Sequence, residues 1–180
     1  MGGGLSALML GDEEGAAALL RRAADEYRTS WDAAPGASWG RPIAMLRCRL
    51  IAGDTSGARA DADAALATGA LEATGPIGGY CAALALLVLG RDEEAVPRAE
   101  RIAAEGLDPV AVAHALDALA RNDPPAYQEK RRRVLASFTS REAYLEDVAF
   151  ADTVLVLDAL AAERGIEVEP LSSPLLPGAA

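Results

Sequence analysis

The chain has one histidine, His114, and Asp117 follows it three residues later. On a helix that spacing puts the two side chains on neighbouring faces, as a general base and its orienting carboxylate would need. No matching nucleophile and no metal-ligand spacing accompanies them, so the pair reads as an imidazole beside a carboxylate. Cys48 and Cys81 have no CxxC partner and no neighbouring cue that would lower a thiol pKa. Lys130, Arg131, Arg132 and Arg133 are four consecutive basic residues. A helix spreads such a run over most of its circumference, so it cannot form one phosphate-binding stripe and is expected to be a solvated helix end. Gly75, Gly78 and Gly79 lack the preceding strand and the Gly-Lys-Ser/Thr ending of a phosphate loop. No catalytic residue, metal site or cofactor is expected.

Binding candidates are better represented. Trp31 and Trp39 flank a Pro-Gly loop, where a tryptophan either anchors a partner or covers the open end of a helical stack. Arg47 and Arg49 fall on one predicted helix and face either a concave inner side or the solvent. Tyr80 begins an apolar run that continues to Leu89, and His114 completes the set of candidate partner-binding residues. Basic residues number 17 and acidic residues 27, and both halves of the chain are acidic. Neither half offers the cationic surface that nucleic-acid affinity depends on. The apolar run is far too short to span a membrane. Residues 1–10 lack a charged start and a long apolar run, so no signal peptide is expected. The two cysteines are then expected as reduced thiols in a cytoplasmic protein.

These residues must be positioned by helices. Alanine occupies 41 of 180 positions and β-branched runs are scarce, which favours an all-α chain. One phase recurs along it. Gly53 is followed by Ala58 five residues later and by Ala65-Leu66 after twelve and thirteen; Gly11 leads to Ala16 and Ala23; Gly90 leads to Ala95 and Ile102; Arg121 takes the glycine's place ahead of Ala126. The starts at 11, 53, 90 and 121 lie 42, 37 and 31 residues apart, inside the window of stacked helical repeats.

The spacing predicts helices over 13–31, 43–52, 55–68, 80–89, a stretch after Asp92, 110–120 and 126–138, then a segment to 165 broken near 147–152. Residues 5–10 are expected as the stub of a first helix or an unpaired cap, and 70–79 as a loop or a frayed helix end. Asp12, Asp92, Asp108-Pro109 and Asp123-Pro124 serve as helix starts, and Thr139 with Glu142 as a capping box. Pro97, about one turn inside its helix, is expected to cost a backbone bond or to shift the start. The fold is thus expected to be a short α-solenoid of antiparallel hairpins over 1–165, with a C-terminal capping helix. Prolines at 170, 174 and 177 make 166–180 an extended tail whose leucines pack down on the surface.

The stretches GDTSGARADADAAL and GRDEEAVPRAERIA resemble the turn and second helix of a degenerate tetratricopeptide repeat, with Ala83 as the small residue of a first helix. His114 holds that place in the last copy, and the family's tryptophan, tyrosine and closing proline are missing. The C-terminal third is similar to the end of the immunity protein 49 family. The likeness rests on the Ala126-Tyr127 pair, on Leu160, Ala161 and Gly165, and on the finish Ser173, Pro174, Leu176 and Pro177. That resemblance implies an all-α protein that neutralises a toxin of a bacterial polymorphic toxin system, and no catalytic residue. The expected function is a non-enzymatic, protein-binding helical-repeat module whose acidic surface suits a basic toxin such as a nuclease. Two other readings stand beside it: a small-molecule or minor enzymatic site around Tyr80, Cys81 and His114, and a fragment of a larger helical regulator.

Overall fold

The computed structural model describes residues 1–106, 110–141, 143–144 and 148–178. Among them the regular structure is entirely helical, as alanine content and apolar spacing require: α1 (Gly2–Met9), α2 (Glu13–Asp32), α3 (Gly40–Ile51), α4 (Thr55–Ala67), a 3-10 turn (Ala70–Glu72), α5 (Pro76–Val88), α6 (Asp92–Ala104), α7 (Val110–Ala120), α8 (Pro124–Thr139) and α9 (Asp152–Glu163). From α1 to α8 each helix packs on the next, and three-residue links such as 52–54 and 121–123 fold the chain back on itself as hairpins. The Asp108-Pro109 start, Glu142 of the capping box and the break near 147 lie outside the described residues.

Helix starts follow side-chain chemistry. Asp12, Asp54 and Asp123 each accept a hydrogen bond from the backbone N–H three residues on, at 2.9, 3.0 and 3.1 Å. Such caps satisfy one of the donors that a first turn leaves orphaned. Asp92 does not do this: Arg91 takes the cap position, and the Asp92 carboxylate is bound to Arg164 instead. Pro97 stays inside α6, so the backbone bond it cannot donate is absent and the start has not moved.

The repeat register is real and one residue different at its end. Gly11, Gly53 and Gly90 adopt positive φ, and in the last copy that conformation belongs to Asn122, not Arg121. Counting from these four, the fifth residue is Ala16, Ala58, Ala95 and Tyr127, and the twelfth is Ala23, Ala65, Ile102 and Val134; all are buried. The small residue gives way to a tyrosine because α8 faces a different neighbour.

That neighbour is α9. Alternate helices α3, α5 and α7 touch in a row, and α9 lies against both α3 and α7, so the row curves round it. Val154, Val156, Leu157, Leu160 and Ala161 are buried there, and the last helix fills the inner face of the array. Burying a large aliphatic side chain contributes about 1.5–3 kcal/mol, so α9 is part of the main core. The tail follows it inward: Ile166, Leu175 and Leu176 are buried, and Leu175 O accepts a bond from Ala151 N at 2.9 Å.

Helix α5 starts four residues before the expected Tyr80, with Pro76 in its first turn. Gly78 and Gly79 are helical because of close packing: a Cβ would lie 2.5 Å from Ala73 Cβ at Gly78 and 2.2 Å from Ile102 Cγ2 at Gly79. Beyond them α5 is buried on all sides from Tyr80 to Val88. At the other end α1 supplies a short partner for α2, with Leu5 buried in a second cluster beside Leu20, Cys48 and Phe150.

Candidate functional site

Arginine is the residue that organises the polar parts of this molecule. Arg47 and Arg49 both lie on α3, and two helical positions are about 200° apart, so they face opposite ways. Arg49 faces outward, bonding Asp61 at 3.1 Å, Asp54 at 2.9 Å and Asp25 at 2.6 Å. Arg28 takes the other Asp61 oxygen at 2.6 Å and lies over the Trp31 ring, 5.4 Å from its centroid. This network ties α2 and α3 to α4. Burial pushes the Asp54 carboxyl up, but the Gly57 N–H and Arg49 outweigh it and hold it below the ordinary value.

Arg47 faces inward to the start of α9. It forms an ion pair with Asp152 and reaches Thr153 Oγ1 at 3.4 Å. Burial opposes its charge, yet Asp152 overcomes that and raises its pKa. Tyr80 is next to the pair: burial pushes its phenol up, Asp152 adds to this, and Arg47 opposes it. Sequence reasoning left the direction of Arg47 open because Asp152 is 105 residues away and no local pattern links them.

The middle of α9 is held from α8. Arg131 bonds both oxygens of Asp158, at 2.5 and 2.7 Å, and donates to Glu169 O at 2.7 Å; Tyr127 Oη donates to Asp158 Oδ1 at 2.7 Å. Gln128 reaches Glu167 O at 2.7 Å, and Arg132 pairs with Glu169. The run from Lys130 to Arg133 is therefore not simply a solvated helix end. Arg131 points into the seam between α8 and α9 and is buried, while Arg133 pairs along the surface with Glu129. Spreading round the helix, which rules out a stripe, is what turns one member of the run inward.

The end of α9 is fixed at the α5–α6 turn, where Arg164 donates to Leu87 O at 2.7 Å, to Leu160 O at 2.9 Å and to Asp92. Beside it an open cavity of about 360 Å³ is lined in part by Thr55, Arg59 and Glu163.

The remaining sequence candidates do not converge. His114 is exposed on α7, and the Asp117 carboxylate is taken by Arg121 at 2.8 Å, which in turn reaches Glu100 at 2.6 Å. Tyr80 and Cys81 are buried in α5, whereas His114 is exposed on α7. Cys48 and Cys81 are not joined in a disulfide and both are buried, and burial pushes the Cys81 thiol up to about 12, the opposite of a reactive nucleophile. Trp31 and Trp39 are partly buried against the core; Trp39 lies 3.2 Å from where a Cβ on Gly78 would be, covering the start of α5. Among the described residues no group of three His, Cys, Asp or Glu side chains could hold a metal, and no helix is long and apolar enough to cross a membrane. Compared with protein-family models, curated proteins and solved structures, the chain matches none.

Proposed function

We propose that this chain is a non-enzymatic protein-binding module for a basic partner, with neutralisation of a toxin as the specific form of that role. The observation that carries the reading is how charge is divided. Arg28, Arg47, Arg49, Arg131 and Arg164 are tied to carboxylates and carbonyls inside the fold. Glu13, Glu14, Asp32 and Glu93 stand exposed without an ion-pair partner among the described residues, on a chain of net charge −10. An exterior of one dominant sign steers an oppositely charged protein toward it and raises its association rate. Because α9 fills the inner face, docking falls to the outer helices or the ends of the array and not to a concave groove.

The test is capture with this chain as bait, identification of the bound protein, and association rates for the purified pair at rising salt. A stoichiometric basic partner whose on-rate falls about tenfold between low and high salt supports the reading, and protection of growth on co-expression supports the toxin form. Salt-independent capture, or Glu13→Lys/Glu14→Lys and Glu93→Lys variants that bind at the wild-type rate, refutes the electrostatic basis.

A further inference from the structure

The cavity at the end of α9 is lined by two basic and two acidic side chains. Its wall brings together the first turns of α4 and α6 with the last turns of α5 and α9, through Thr55, Arg59, Leu87, Asp92, Glu163 and Arg164. Two of its four charges are occupied, since Arg164 is bonded to Asp92 and to two backbone carbonyls. The other two are free. Arg59 and Glu163 are exposed, and neither has a hydrogen-bond or ion-pair partner among the described residues. Among the described residues Arg59 is the one arginine in this state; each of the others donates to a carboxylate, carbonyl or hydroxyl, or lies over an aromatic ring, as Arg141 does on Phe138 at 3.7 Å. In a chain whose other described arginines all have a partner, a free guanidinium on a cavity wall is the exception.

We propose that this cavity binds a small zwitterion of the amino-acid class, independently of the protein-binding role above. The ligand's carboxylate would lie on Arg59, with the Thr55 hydroxyl and the positive end of α4 beside it. Its ammonium would lie on Glu163, and its side chain would extend toward the open mouth of the cavity, because Leu87 is fully buried and offers no apolar surface there. A simple anion would meet the Glu163 and Asp92 carboxylates, and a simple cation would meet Arg59 and Arg164. A ligand with both charges satisfies both walls. The volume, about 360 Å³, is at the lower end of small-molecule sites and suits one amino acid.

The experiment is a nuclear magnetic resonance titration of the isotope-labelled full chain with L-leucine and L-glutamine, beside their N-acetyl and amide derivatives. Expected are saturable shifts that are largest at Thr55, Gly90 and Glu163, with affinity at least tenfold weaker for either derivative, since each loses one charged hydrogen bond. Arg59→Gln and Glu163→Gln should each weaken binding about tenfold or more, while Glu72→Gln, in the 3-10 turn outside the cavity lining, leaves it unchanged. Both tested positions are exposed and unpaired, so the folded spectrum should persist and a lost response reports on the ligand. Non-saturating shifts, shifts centred elsewhere, derivatives that bind as well as the free amino acids, or binding indifferent to Arg59→Gln and Glu163→Gln would overturn the proposal.

Discussion

Arg49 and Arg131 each gather carboxylates, yet they do different jobs in the two halves of the molecule. Arg49 links Asp25, Asp54 and Asp61, all within 24 residues of it in sequence, at the edge of one pair of hairpins. Asp61 also has Arg28, and Asp25 is largely exposed, so the loss of one partner leaves few charges stranded. Arg131 holds Asp158 and a carbonyl of the tail, 27 and 38 residues away, across a seam buried between α8 and α9. The outer network reinforces helices that their own spacing already forms. The inner one holds a helix where no repeat would place it.

If that contrast is right, Arg131→Ala should be the most damaging single change, costing about 3–5 kcal/mol in urea denaturation because it removes a buried guanidinium and leaves the partly buried Asp158 carboxylate with the Tyr127 hydroxyl alone. Arg131→Met with Asp158→Leu should recover most of that loss, and a costly double variant would show that packing rather than charge is at stake. Asp152→Ala, which strands Arg47 at the other end of α9, should cost about 3 kcal/mol and lower the hydrogen-exchange protection of α9 more than that of α4. Arg49→Ala should cost about 1–2 kcal/mol, the range for losing charged hydrogen bonds when other partners remain; a cost equal to that of Arg131→Ala would erase the distinction.

Alkaline pH tests the helix between the two regions. The Cys81 thiol is raised from its ordinary 9.0 to about 12, so its contribution is intact below 9.0 and is lost as pH climbs toward 12. Unfolding free energy should fall by about 1.4 kcal/mol per pH unit from pH 9.0 upward until the folded thiol itself titrates, and Cys81→Ala should flatten the slope before the tyrosines join.

Much of the outer array is legible in the sequence because its signals are local. Asp12, Asp54 and Asp123 cap helices that start where a short polar side chain precedes an alanine-rich run, and the glycines at 11, 53 and 90 mark each turn. Two local signals mislead. The glycines at 78 and 79 read as loop, whereas the reason for them is Ile102 and Ala73 pressing on the helix. Arg121 reads as the turn residue because Ala126 stands five places on; Asn122 and Tyr127 hold the register, and the tyrosine is large because it must reach Asp158.

The site is less legible. Arg59, Leu87 and Glu163 are brought together by folding, and a free guanidinium cannot be told from a paired one until its neighbours are known. Nor does any sequence period pair Arg47 with Asp152.

The return of α9 to α3 also limits how this chain can change its length. An open helical array can gain or lose a hairpin by duplication, because each unit needs only the one before it. Here Asp152 must arrive at Arg47 and Arg164 at the α5–α6 turn, so an extra hairpin between α3 and α7 would carry one anchor away from the other. Closure converts an extensible architecture into one of fixed count, in which variation is confined to the outward faces of the helices.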